Sequence, residues 1–229
     1  MEQSERYAGK YAEFVVLFIL LPLFVRYMPE ISHKTGITFT IPIILILLIA
    51  SLFAYLFLRL TSNFKPADIV SADGVSTQDW LKMLVRFAFF AVVLAVPIFI
   101  WKRNSFLALP LNRPNLWIKI MFFYPLVSVL PQGLLYRALY QKRYAPVFPE
   151  RIRILAGAMA FSFAHIAFTN YIAVVFTFIG GLMFLFSYKK TDSLLFSNIE
   201  HALYGNLIFT LGWGSHFFYQ GTLRIITNS

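Results

Sequence analysis

Long apolar runs constrain this chain more than any other feature. Residues 37–60 form an uninterrupted stretch rich in Ile and Leu, and residues 80–101 form another that stops at Lys102-Arg103. A helix needs about 20 such residues to cross a hydrocarbon core. In lipid every backbone N–H and C=O must find a partner within the protein, which leaves helices or closed barrels. Barrel strands alternate apolar and polar residues over short segments, and these runs do not alternate. The expected fold class is therefore all-α, a polytopic transmembrane helical bundle.

Composition agrees. The chain has 229 residues, 59% of them hydrophobic and only 13% charged, whereas an ordinary soluble protein has about 25% charged residues. Seven helical segments can be drawn, at residues 11–28, 37–60, 80–101, 116–140, 152–168, 171–188 and 193–213. Pro22 is expected to kink the first. Residues 61–78, with Pro66, Asp68, Asp73 and Gly74, read as an exposed connector, and residues 215–229 read as a short aromatic tail. No internal repeat is evident, so residues 1–229 are expected to form one integral membrane domain. The first apolar run lacks a small-residue cleavage site and is expected to stay as an anchor.

The net charge of +10 suits loops that meet anionic headgroups of membrane lipids. Nucleic acid is not expected as a partner, because no basic stripe with interleaved aromatics lies outside the spans. Cysteine is absent, which excludes disulfides, thiol chemistry and Cys-ligated metal. With seven spans, Arg6, Lys10, Lys65, Lys142, Arg143, Arg151, Arg153, Lys189 and Lys190 fall on the side of the N-terminus. The other side has Lys34, Lys102, Arg103, Arg113 and Arg224. The positive-inside rule then places the N-terminus in the cytoplasm, and the expected location is a bacterial cytoplasmic membrane.

Against this background two histidines stand out. His165 lies in the apolar stretch 156–169 and His201 in 194–211. Ionisable groups at that depth cost roughly 2.5 kcal/mol or more when charged, and mark functional sites by default. The bland alternative is an interhelical hydrogen bond, which contributes about 0.6 kcal/mol on average. Three helices carry the polar positions. One contains Pro131-Gln132-Gly133-Leu134-Leu135-Tyr136-Arg137, the next Phe161-Ser162-Phe163-Ala164-His165, and the last Asn198-Ile199-Glu200-His201-Ala202-Leu203-Tyr204-Gly205-Asn206.

In this order the strings resemble the CAAX protease and bacteriocin-processing family of integral membrane proteins. The likeness covers residues 131–206 within a motif-bearing core at about 116–213. It implies a membrane-embedded endopeptidase that hydrolyses a peptide bond near the membrane surface, with a membrane-anchored or prenylated peptide as substrate. His165 would activate water, and His201 with Asn206 would steady the oxyanion. Two departures stand beside the likeness. The glutamate pair of the family falls on Gln132 and Gly133, so both carboxylates are gone. The commonest family spacing puts Asn four residues after the second histidine, and here that position is Gly205. The alternative implication is a catalytically degenerate member with a binding, immunity or regulatory role. A small transporter or channel is a third class.

Geometry adds to both readings. Phe161 and His165 share a helix face, as do Gly133 and Arg137. Arg137 has lost the carboxylate a residue at 133 could have offered, and must find another anion or snorkel to the interface. Asn198, three before His201, is better aligned with it than Asn206. Gln132 has no useful protonation equilibrium, so it could orient a water but not serve as a base. Of ten acidic residues, Glu200 alone sits beside a motif residue and is the candidate replacement carboxylate. For a divalent metal such as zinc the candidate ligands are His165 and His201, short of the three protein ligands usual at catalytic zinc.

Overall fold

A computed structural model describes residues 2–35 and 42–217. The expected all-α bundle is what the chain forms. Six helices among the described residues are long and apolar enough to span a membrane: α1 (Tyr7–Thr35), α2 (Ile43–Thr61), α3 (Thr77–Trp101), α4 (Pro114–Val147), α5 (Glu150–Phe168) and α6 (Tyr171–Thr191). A seventh, α7 (Leu194–Leu211), has 18 residues. Its Asn198, Glu200, His201 and Asn206 lower its apolarity below that of the others. Residues 37–41 of the expected second helix lie outside the described residues, as do Arg224 and the tail beyond 217.

Prolines set the pitch of the first and fourth helices. Proline lacks an N–H and crowds the carbonyl four residues back. Ahead of Pro22 the chain widens into a π-type turn at Val16–Leu20, where the N–H of Leu21 bonds Val16 O. Pro125 opens a similar turn at Pro125–Val129, closed by Leu130 N–H on Pro125 O. Beyond Pro131 a longer wide segment, Leu134–Tyr144, follows. Such π-type turns inside helices recur at functional sites, and this one carries Arg137.

Short caps produce the antiparallel packing of α5, α6 and α7. Thr169 takes the left-handed conformation, and Asn170 then caps α6 by accepting from Ile172 N at 2.9 Å. Asp192 is left-handed in the same way, and Ser193 caps α7 by accepting from Phe196 N at 3.1 Å. Two-residue links of this kind force neighbouring helices to run antiparallel. Gly181 of α6 faces Ala158 so closely that an added Cβ would lie 3.1 Å from its Cα.

Contacts between helix ends show the alternation of the spans. On the N-terminal side Arg143 holds Glu13 through two bonds of 2.6 Å, and Tyr11 donates to Val147 O. There too Lys190 pairs with Asp79, and Lys189 with Glu150 at 3.5 Å. On the opposite side Trp117 donates to Thr210 at 3.0 Å and Trp213 to Leu94 O at 3.0 Å. Most of the connector 61–78 is exposed, as its polarity suggested, but it is anchored to the bundle and not structureless. Phe64 is buried in the core, Ala67–Val70 forms a short helix, and Ser71 O accepts from Ser193 Oγ at 2.7 Å.

The core gathers Phe18, Leu58, Tyr136, Tyr140, Tyr144, Phe161, Phe184 and Tyr188 from α1, α2, α4, α5 and α6. Large apolar side chains cover the outside, Leu60 at 86% and Trp101 at 78% exposure being extremes. An outward apolar face of this extent suits lipid rather than water. The chain is an integral multi-pass membrane protein.

Candidate functional site

The buried polar residues of α7 fall into two clusters, because neighbours on a helix point about 100° apart. Asn198 and His201, three apart, face α4. Glu200 turns toward α3 and α6.

Arg137 organises the first cluster and is 2% exposed. Its guanidinium donates to Asn198 Oδ1, to Val129 O at 3.3 Å and to His201 Nδ1 at 3.2 Å. It finds neither an anion nor the interface, the two outcomes expected from the sequence. Neutral acceptors take its protons instead, with the Phe184 ring 5.8 Å from its carbon. Gly133 explains the arrangement. A Cβ there would collide with Asn198 Oδ1 and Arg137 Nη2. The space that the family resemblance gives to a glutamate therefore holds the Asn198 amide from another helix.

His201 is held at both nitrogens. Beyond Arg137 on Nδ1, Tyr124 Oη lies 3.2 Å from Nε2. The ring stacks on Phe184 at 4.6 Å and meets the edge of Phe161 at 5.6 Å. His165 begins the tight last turn of α5, where its Nδ1 lies 2.8 Å from Phe161 O. A carbonyl only accepts, so Nδ1 carries the proton and Nε2 keeps its lone pair. The Phe161 ring lies 4.8 Å from His165, which places it in contact with both imidazoles.

Both histidines line one cavity of about 210 Å³, walled otherwise by apolar and aromatic groups such as Phe90, Phe176, Met183 and Ile208. His165 also borders a second hollow of about 100 Å³ that Gln132 shares. Gln132 donates to Ser128 at 2.9 Å, and its Oε1 has no partner among the described residues.

The remaining candidates lie elsewhere. Glu200 is fully buried, bonded by Arg86 and by Ser187 Oγ at 2.6 Å, and borders neither cavity. Its carboxylate is not brought to the histidines. Asn206 donates to Met121 O at 3.3 Å and likewise borders neither cavity. Gly205 leaves room beside the continuous helix. A Cβ there would run into the Tyr124 ring and hydroxyl, so the phenol fills the place that the family pattern gives to Asn.

Among the described residues no three His, Cys, Asp or Glu side chains form a group able to hold a metal ion. A guanidinium on His201 Nδ1 would also oppose a cation at that ring. The donors present do not fit zinc.

Sequence reasoning missed Arg86 and Tyr124. Arg86 had a signal, being a charge inside the apolar run 80–101. Tyr124 had none, since it is one of twelve tyrosines and is brought to His201 by packing against Gly205.

With the geometry in view, the comparison with known families is decisive. Residues 114–207 match the family of type II CAAX prenyl endopeptidases, Rce1-like. The resemblance read from residues 131–206 is thus borne out, and over residues 114–207 this membrane protein is similar to that family. No curated protein and no solved structure matches it. The Rce1-like segment runs from the start of α4 into α7 and supplies Tyr124, Arg137, His165 and His201. Helices α1–α3 lie outside it, so Arg86 reaches Glu200, in the second cluster, from beyond the matched residues.

Proposed function

We propose that this protein binds a membrane-anchored, apolar-chain-bearing peptide in the His165–His201 cavity and holds it without cutting it. The observation that carries this reading is Gly133, over which Asn198 and Arg137 close. A carboxylate paired with a histidine is what raises water to a nucleophile at neutral pH. Neither cavity is bordered by Asp or Glu among the described residues. His201, committed at both nitrogens, has no free position for proton transfer. The aromatic walls supply what a ligand pocket uses for a hydrocarbon chain, with a few polar groups to orient it. The prenyl group in the name of the matched family supports a prenylated peptide as ligand.

The endopeptidase reading keeps one observation in its favour, the uncommitted Nε2 of His165 at the cavity wall. The two separate cleanly. The full chain in lipid nanodiscs is given an S-farnesylated peptide with three residues after the modified cysteine. Binding with no released tripeptide by mass spectrometry is expected. Release that disappears in His165→Ala overturns the binding reading in favour of hydrolysis.

The location reading is a bacterial cytoplasmic membrane with the N-terminus inside. Lys65, Lys142, Arg143, Arg151, Lys189 and Lys190 gather on the N-terminal side, where anionic lipid attracts them. The chain has no cysteine, so Ser62→Cys and Asn104→Cys report separately on the two faces. An impermeant maleimide added to intact cells should label only Asn104→Cys. Labelling of Ser62→Cys alone reverses the orientation.

A further inference from the structure

Resting on the binding reading above, we propose that Tyr124 selects an amide in the bound ligand. Its hydroxyl donates to the ligand carbonyl, while Nε2 of His165 accepts from the ligand N–H.

A guanidinium has only donors, so Arg137 Nη1, 3.2 Å from His201 Nδ1, makes that nitrogen the acceptor. The ring proton then sits on Nε2. Nε2–H faces Tyr124 Oη at 3.2 Å and donates to it. The tyrosine oxygen is thereby used as an acceptor and its own proton is left to give. No acceptor among the described residues takes that proton, and Tyr124 lines the cavity. His165 has the opposite polarity. Its Nδ1–H is spent on Phe161 O at 2.8 Å, leaving a lone pair on Nε2.

The same cavity therefore presents one donor and one acceptor on apolar walls. A secondary amide carries the complementary pair. An ether, a thioether or a bare hydrocarbon does not. The other polar groups on the wall are committed or turned elsewhere. Thr177 donates to Ala173 O at 2.7 Å in its own helix, and His201 is engaged at both nitrogens. Tyr204 Oη is buried without a partner and is the rival donor, so it enters the test. Gly205 makes the arrangement fit, since any side chain there would displace the Tyr124 phenol.

The test uses the full chain in nanodiscs and two probes. One is an S-farnesylated peptide. The other is the same peptide with a trans-alkene in place of the amide after the modified cysteine. The unmodified protein should prefer the amide by about tenfold, the size of one or two net hydrogen bonds. Tyr124→Phe should lower amide affinity and shrink the preference to what the His165 contact supplies, and leave the alkene affinity unchanged. Tyr204→Phe should keep the preference. An unchanged preference in Tyr124→Phe, equal weakening for both probes, or a preference lost only in Tyr204→Phe overturns the proposal. Failure of the unmodified chain to bind either probe overturns the binding reading and the ligand assignment together. Imidazole nitrogen-15 NMR of the ligand-free protein gives a readout independent of any probe. The proton should sit on Nε2 of His201 and on Nδ1 of His165, and identical tautomers at the two rings overturn the polarity argument even if a peptide binds.

Discussion

Helix α7 carries two buried polar clusters that solve one problem in different ways. On one face Glu200 meets Arg86, with Ser187 Oγ on its other oxygen at 2.6 Å. Charges cancel there. On the other face Arg137 has no carboxylate and rests on the Asn198 amide, the Val129 carbonyl and His201. Its charge is solvated by neutral oxygens and nitrogen. The difference teaches how a membrane protein keeps a buried cation after its anion is lost. A glycine on one helix admits a polar side chain from another, and the guanidinium keeps its hydrogen bonds though not its charge partner. The same exchange occurs at Gly205, where Tyr124 enters from α4.

The contrast can be broken most severely on the ion-paired face. Arg86→Leu leaves Glu200 buried without a cation and should destabilise the protein by about 3–5 kcal/mol, read from thermal or denaturant unfolding in detergent. The double variant with Glu200→Leu should recover most of that loss. If the single change costs no more than the double, the pair is not what holds α3 to α7.

On the other face the largest effect is expected from Gly133→Glu. Restoring a carboxylate alone forces it into Asn198 and should cost about 3 kcal/mol, the upper end for overpacking. Pairing it with Asn198→Ala opens the space, lets the carboxylate meet Arg137 and should return stability close to the starting value. Cost-free accommodation of Gly133→Glu by itself would show that the amide is not a substitute filling that space.

Asn198→Leu keeps the volume and removes the acceptor. A hydrogen bond to a charged group contributes about 1.5–3 kcal/mol, so a loss of about 2 kcal/mol is expected, with Asn198→Asp stable or better. Equal behaviour of the Leu and Asp variants would mean that packing rather than hydrogen bonding matters at 198. The smallest effect is assigned to Ser187→Ala, about 1 kcal/mol, because Arg86 still holds Glu200. A loss as large as that of Arg86→Leu would make the hydroxyl an equal partner in the cluster.

Much of the fold was legible from single residues and their neighbours. Span length and the basic stop at Lys102-Arg103, where the helix Thr77–Trp101 does end, act within one helix. The connector 61–78 was legible as exposed but its anchor was not, since Phe64, one aromatic residue in a polar stretch, is drawn into the core. The histidines were legible for a related reason, since a titratable ring in an apolar run is conspicuous wherever it ends up. Glu200 was equally conspicuous, yet its direction depended on Ser187 of the preceding helix and on Arg86, 114 residues away.

The chain by itself determined that it would be a bundle of membrane-crossing helices with His165 and His201 inside, because lipid demands satisfied backbones and makes buried polar groups rare. Only tertiary packing decided that Asn198 would fill the gap at Gly133, that Tyr124 would fill the gap at Gly205, and that Glu200 would face Arg86. A glycine in a sequence records space without saying what enters it. That choice belongs to whichever helix packs alongside.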